Sequence, residues 1–370
     1  MEMFKEMVSR FLAGVLAIVM GAAAPMSPEV SVGGSSTEQL ERPENSTFSV
    51  RFIDVGQADS ALVECDGHYM LIDGGNVDDS RLIYSVLKDT GVSKLDLIVG
   101  SHPHEDHIGG LAGALNYADA DLVLCSSTNY DTEAFRNFKK YAELNGGGIK
   151  VPSVGDVFML GSARVEILGL NATNGQGENN DSIVLKITYG ETSFLFCGDA
   201  EREAEQLILD SGADLSATVL KVGHHGSNDS TTYPFLREIM PEYAVISVGK
   251  ENSYGHPHEN TLSRLRDADV TVYRTDLHGD IICVSDGESV TFTVEESSGR
   301  EEFEPVGNTG AGSGTNVSDI DYVLNTNTKK FHIPTCNSVD KMSEKNKAYY
   351  TGTRDEVISL GYSPCGNCRP

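Results

Sequence analysis

The sequence predicts an α/β fold of four layers, two stacked sheets with helices on both outer faces, followed by a small metal-stapled domain. Three observations carry this. Apolar strand-like runs recur through both halves of residues 48–294 with helical stretches between them, the alternation that builds helix-covered sheets. Several of these runs end directly in His or Asp, which a sandwich would gather on one rim. Past residue 318, Cys and His recur at the spacing of a closed zinc site.

Residues 1–24 have a basic start (Lys5, Arg10), an apolar run from Phe11 to Met20, and Ala22, Ala23 and Ala24 at the end. This pattern reads as an export signal, with an uncleaved N-terminal anchor or a buried helix as alternatives, and it predicts a secreted or tethered extracellular protein. Residues 25–47, rich in Ser, Gly, Pro and Glu, read as a flexible spacer. The ordered part opens with strands at Phe48–Val55, Ala61–Cys65 and Tyr69–Ile72 around the turn Asp66-Gly67. A helix over Asp79–Lys88 precedes the strand Leu95–Val99, and a second helix is expected over Ile108–Tyr117. Asp121–Cys125 reads as a strand, and Phe135, Phe138 and Tyr141 give Thr132–Glu143 helical spacing. The second half supplies strands at Arg164–Leu168, Ile183–Thr188 and Ser193–Cys197, a helix at Ala200–Leu209, and further strands at Thr218–Val222, Tyr243–Val248, Val270–Arg274, Asp280–Val284 and Val290–Val294. Residues 295–318 turn acidic and then Gly-, Thr-, Ser- and Asn-rich, the composition of a linker to a domain over 319–370.

The chain of 370 residues carries a formal charge of −27, a field that repels polyanions and argues against broad binding of nucleic acid or anionic membranes. The charge is uneven. Residues 319–370 hold seven Lys/Arg and six Asp/Glu, a net of +1, so −27 − 1 = −28 falls on the rest. Seven cysteines are too sparse for a disulfide framework, and Cys65, Cys125, Cys197 and Cys283 lie in apolar runs as buried thiols.

The densest chemistry is Ser-His-Pro-His-Glu-Asp-His-Ile-Gly-Gly, residues 101–110. In an extended segment His102 and His104 project to one side and can grip one divalent ion together. Asp106 and His107 come a turn later and can face a second ion. Asp73, Asp199, His224 and His225 also follow apolar runs and join the same rim.

This His-x-His-x-Asp-His cluster resembles the metal motif of the metallo-β-lactamase superfamily, which implies an αββα sandwich. The resemblance implies that Asp199 is the bridging carboxylate, that the Gly-His-His-Gly-Ser turn supplies the last histidine, with His224 favoured over His225, and that Asp73 orients a ligand from behind. One departure stands out. The third histidine common in the superfamily's antibiotic and thioester hydrolases is missing between His107 and Asp199, where Asn179-Asn180-Asp181-Ser182 stands instead. The first site is then His102, His104 and Asp199 with an oxygen ligand or water, a set open to Mn²⁺ as well as Zn²⁺.

The motifs Phe52-Ile-Asp-Val-Gly-Gln-Ala-Asp-Ser60, Leu71–Gly75, Asn179–Ser182, Lys221–Ser227 and Gly255-His-Pro-His258 occur in order. Together they resemble the hydrolase domain of the competence DNA-uptake (ComEC) family over about Phe48 to Val294. What this implies is phosphodiester hydrolysis, with DNA as substrate, by two ions about 3.5–4 Å apart that activate water for in-line attack. His256 and His258 can each protonate the leaving oxygen or touch a phosphate, and Gln57 and Asp59 can line the pocket. Two alternatives stay open: hydrolysis of a small ester, lactone or β-lactam, and a non-catalytic nucleic-acid-binding protein.

In the last domain His332, Cys336, Cys365 and Cys368 form a four-ligand set without an open position, the pattern of a structural zinc. A unit of about fifty residues needs such a staple, and a disulfide is the alternative. Residues 331–369 resemble the zinc-binding module of Ada-type DNA-repair regulators, with His332 where that module has a cysteine. The resemblance implies DNA contact, helped by Lys329, Lys330, Lys341, Lys345 and Lys347, but a plain zinc-stapled tail fits the same residues.

Overall fold

The computed structural model describes residues 46–170, 179–294, 320–332, 336–352, 357, 360 and 362–365. The segment read as an export signal, nearly all of the expected spacer, residues 295–318 and Cys368 lie outside them. The chain divides into two compact units, Met1–Gly307 and Asn308–Pro370.

The larger unit runs through β1 (Phe48–Phe52), β2 (Ser60–Cys65), β3 (His68–Gly74), β4 (Lys94–Gly100), β5 (Asp119–Cys125), β6 (Ile149–Lys150), β7 (Val157–Leu160) and β8 (Ala163–Gly169). It continues with β9 (Val184–Tyr189), β10 (Thr192–Phe196), β11 (Val219–Lys221), β12 (Tyr243–Ile246), β13 (Thr271–Arg274), β14 (Ile281–Ser285) and β15 (Val290–Val294). Among the described residues these form one sheet in the order β15-β14-β1-β2-β3-β4-β5-β6 and another in the order β13-β12-β11-β10-β9-β8-β7.

The layering follows from which side chains share a core. Alternation in Phe48-Ser-Val-Arg-Phe turns Phe48, Val50 and Phe52 to one face, where they meet Phe194, Phe196 and Ile187 of the other sheet. On the first sheet's opposite face, Leu71 and Ile98 pack under Ile83, Leu111 and Phe138, which belong to the helices Ser80–Asp89, Leu111–Tyr117 and Glu133–Asn145. Leu195, Leu220 and Ala244 pack likewise under Ile208, Phe235 and Leu265, from the helices Arg202–Ser211, Tyr233–Ile239 and Glu259–Asp267. The four-layer αββα sandwich expected from the sequence is the observed architecture.

One boundary differs where it matters. The helix expected to begin at Ile108 begins at Glu105, runs to Ile108, and resumes at Leu111. The interruption is Gly109-Gly110, because a Cβ on Gly110 would lie 1.9 Å from the Gly74 carbonyl oxygen and one on Gly109 2.4 Å from the Val77 nitrogen. The metal motif is thereby pressed against the end of β3, and only glycine permits that approach.

The smaller unit contains β16 (Ile320–Asn325), β17 (Lys330–His332), β18 (Lys347–Gly352) and β19 (Ser363–Pro364), ordered β18-β16-β17-β19. One of its two small cores holds Tyr322, Leu324, Phe331 and Val357, and the other joins Cys336 and Cys365 to Val323, Val339 and Met342.

Candidate metal centre

Strand direction explains why distant residues meet. β3, β4 and β5 run parallel, as do β10, β11 and β12, so each set ends on one edge of its sheet. Asp73 lies at the end of β3, residues 101–107 follow β4, Asp199 follows β10, and His224 and His225 follow β11.

Four of these side chains converge. Ligand atoms of Asp106, His107, Asp199 and His225 all lie within 4.8 Å of one another. His107 Nε2 is 3.2 Å from Asp199 Oδ1, and His225 Nε2 is 3.4 Å from Asp106 Oδ2 and 3.8 Å from Asp199 Oδ1. Donor atoms about 2.0–2.2 Å from a shared zinc-sized ion stand some 3–4 Å apart, so these spacings fit one. A second sign agrees. His107 Nε2, His225 Nε2 and Asp199 Oδ1 are buried and make no hydrogen bond, an expensive arrangement unless a cation completes it.

Each histidine is held from behind. His107 Nδ1 meets Asp73 Oδ2 at 2.9 Å, and Asp73 also accepts from the Ser101 amide at 2.7 Å and the Ser101 hydroxyl at 2.9 Å. The expectation that Asp73 orients a ligand describes what it touches. His225 Nδ1 lies 3.0 Å from the Ser247 carbonyl and 3.2 Å from Asp59 Oδ1. The other Asp59 oxygen accepts from Lys221 Nζ at 2.7 Å, with both side chains buried.

The electrostatics follow from this packing. Burial opposes charge on His107, but the carboxylates of Asp199, Asp73 and Asp106 outweigh it and raise its pKa well above the ordinary value. Burial likewise opposes charge on His225, yet Asp199 and Asp59 carry it up to about 10. Asp199 is pushed up by burial and held well below the carboxylate range by His107 and His225. A cation entering the centre would compete with protons for these imidazoles.

The first site is less complete. His102 Nε2 touches His104 Nδ1 at 2.9 Å and stands 3.9 Å from Asp199 Oδ2, while His104 lies outside the four-residue cluster. Of the two histidines of the turn, His225 is the buried member and joins Asp106, His107 and Asp199, whereas His224, the one favoured from the sequence, faces the other Asp199 oxygen at 3.6 Å.

His256 and His258, equal candidates by sequence, separate here. His258 stands at the N-cap of the helix Glu259–Asp267, and its Nδ1 accepts from the Asn228 amide at 3.1 Å, so it reads as structural. His256 lies against His224 and His225, with ring centroids 5.5 and 6.4 Å away. Gln57 Oε1 accepts from the Gly249 amide at 3.1 Å, which turns the Gln57 nitrogen toward His256 Nδ1 at 3.4 Å. His256 Nδ1 is then the acceptor and Nε2 carries the proton. Burial, with His224 and His258 nearby, lowers the His256 pKa to about 4, so the ring is neutral and offers an N–H.

Lys221 and Ser182 delimit motifs in the sequence, but the sequence assigns neither a role. A lone lysine in an apolar strand is the signal for Lys221, since a buried ammonium requires a carboxylate partner. Ser182 Oγ accepts from the Asp199 amide at 3.0 Å, and nothing in the residue pattern announces that bond. In the smaller unit His332, Cys336 and Cys365 bring ligand atoms within 4.8 Å of one another.

A helix-covered double sheet with a histidine and carboxylate rim defines the class of metal-dependent hydrolases. Residues 53–250 match the model of the metallo-beta-lactamase superfamily, and the chain belongs to that superfamily. It is 30% identical over 255 residues to ComE operon protein 3 of Bacillus subtilis, covering 64% of this chain and 33% of that protein. It is 32% identical over 239 residues to competence protein ComA of Neisseria gonorrhoeae, covering 64% and 32%. The chain thus spans about a third of the length of these curated relatives. Among solved structures, the metallo-beta-lactamase fold protein YhfI from Bacillus subtilis aligns with TM-score 0.44 and 12% identity over 64% of this chain and 100% of that one. The resemblance to the competence proteins, drawn from motifs, is borne out.

Proposed function

We propose that this chain is a two-ion phosphodiesterase whose substrate class is DNA. The observation that carries the reading is the position of Asp199, whose Oδ1 faces His107 and His225 while its Oδ2 faces His102 and His224. One carboxylate facing two histidine sets is what two adjacent ions require. Divalent ions bound there supply a nucleophile from water at neutral pH and offset charge on a phosphoryl group.

The chain's own residues do the rest. Asp73 and the Ser247 carbonyl fix the rings of His107 and His225. Lys221 neutralises Asp59, so that this carboxylate stands beside His225 without adding a net negative charge beneath an anionic substrate. His256 presents its Nε2–H at the mouth of the centre, where it donates a hydrogen bond to a phosphate or departing oxygen. DNA as the class is supported by similarity to proteins named for competence and, in Haemophilus influenzae, for recombination. In the smaller unit a structural zinc on His332, Cys336 and Cys365, with Cys368 as fourth ligand, would leave DNA contact to the surrounding lysines. Residues 1–24 would export the chain.

The test is incubation of the full chain with single- and double-stranded DNA plus Mn²⁺ or Zn²⁺, beside an Asp199→Ala variant. Cleavage by the parent and none by the variant is expected; no cleavage of either DNA with either metal rejects the reading. The net charge of −27 favours a small uncharged substrate on the same centre. Turnover of a chromogenic β-lactam without DNA cleavage would establish that alternative.

A further inference from the structure

We propose that His224 is a ligand of the first site, filling the position left by the missing third histidine, so that adjacent histidines of one turn serve two different ions. The proposal rests on the two-ion reading above.

Both histidines adopt left-handed backbone, His224 at φ 49° and ψ 48°, His225 at φ 51° and ψ 24°. Two consecutive non-glycine residues in that region are strained and persist only where the surroundings impose them. The result is divergence: the rings lie 6.1 Å apart at 65°. His225 Nε2 approaches Asp199 Oδ1 at 3.8 Å, and His224 Nε2 approaches Oδ2 at 3.6 Å, the oxygen that also stands 3.9 Å from His102 Nε2.

A carboxylate also stands behind His224. Its Nδ1, buried without a hydrogen bond, lies 3.2 Å from Glu201 Oε1, an ion-pair distance, while its Nε2 faces Asp199 Oδ2. Glu201 in turn accepts from Asn179 Nδ2 at 2.9 Å, and the same nitrogen is 3.4 Å from His224 Nε2. Asn179 belongs to the segment that replaces the missing histidine, so the substitution and its remedy adjoin.

The test counts ions in the full-length protein after dialysis against Mn²⁺, by elemental analysis, with electron paramagnetic resonance reporting spin coupling between two Mn²⁺. The C-terminal cluster is common to all variants and cancels in differences. His224→Ala is expected to bind one ion fewer than the parent and to lose the coupled signal, with circular dichroism unchanged. A full complement of coupled ions in that variant overturns the proposal and leaves the two-ion reading intact. A parent that binds no coupled pair overturns both. Should His224→Ala fail to fold, Glu201→Gln keeps the ring and removes its support. It is expected to weaken one of the two ions about 10- to 100-fold, and unchanged affinity for both overturns the proposal.

Discussion

The candidate ligand clusters of the larger and the smaller unit stand in different relation to the cores beneath them. Asp106, His107, Asp199 and His225 gather at the strand ends of a sandwich held together by large clusters of buried apolar side chains. In the smaller unit Cys336 and Cys365 are themselves members of a core, beside Val323, Val339 and Met342. Burial of apolar area carries the first fold, and its metal residues can be spent on chemistry. The second fold has little area to bury, so its ligands do the work of packing. The difference teaches that removing metal should cost activity in one place and structure in the other.

The largest expected effect breaks this contrast if it fails. Binding of a structural zinc contributes about 10–16 kcal/mol to a small domain, so a strong chelator should release amide protection across β16, β17 and β18 while β9, β10 and β11 stay protected. Hydrogen exchange read by mass spectrometry measures both in one sample. Unchanged protection in β16–β18 would mean that the smaller unit stands on its apolar cores alone.

Next in size is Lys221→Met, which sharpens the claim that the larger fold carries its own centre. Asp59 is pushed up by burial yet held below the carboxylate range, first by Lys221 and then by His225. Without the ammonium a buried anion is left with one partner, and loss of one member of such a pair costs about 3–5 kcal/mol. Chemical denaturation of the metal-free protein should show this, and adding Asp59→Asn to the variant should recover much of it. Equal stability of parent and single variant would remove the pair from the account.

His256 tests whether the rim does chemistry beyond holding ions. As a neutral hydrogen-bond donor it should be worth about 10²–10³ in kcat, the range for losing one such donor, with bound metal unchanged in His256→Ala. His258→Ala should lose stability at its helix end and little rate. The pH dependence carries a sign. The His256 pKa is lowered from 6.5 to about 4, and a bound cation pushes it the same way. Between pH 5 and 8 the ring therefore stays neutral, and no loss of rate with falling pH near 6.5 should trace to it. A limb near 6.5 that disappears in His256→Ala would make it a proton donor of ordinary pKa instead.

Much of the centre was legible because metal chemistry restricts residue types and strand ends restrict their positions. His102, His104, Asp106, His107 and Asp199 all follow apolar runs whose strands could be read directly. What escaped was decided by backbone torsion and by long-range partners. Nothing in Gly223-His-His-Gly226 says that both histidines take positive φ, and without that the two rings cannot be assigned to different sides of Asp199. The pairing of Lys221 with Asp59 joins residues 162 positions apart, a contact that only the packed sheets create. The break after Ile108 was hidden because it comes from a long-range bond, the Gly110 amide donating to the Gly75 carbonyl at 3.1 Å, and not from propensity.

The smallest effect returns to the contrast between holding an ion and holding a fold. Asp73 is buried, its pKa is raised by that burial, and His107 is the largest influence that offsets the rise. Asp73→Asn keeps the shape and can still pair with Ser101, but an amide cannot stabilise the His107 N–H as a carboxylate does, and it can orient the ring with the wrong nitrogen outward. The expected loss is about 10- to 100-fold in affinity for the ion at Asp106, His107, Asp199 and His225, read by metal titration, with a folded state that still unfolds cooperatively. A variant that binds metal like the parent but unfolds far more readily would place Asp73 with the core. The rim of the sandwich would then resemble the smaller unit, its ligand partners serving the fold before the chemistry.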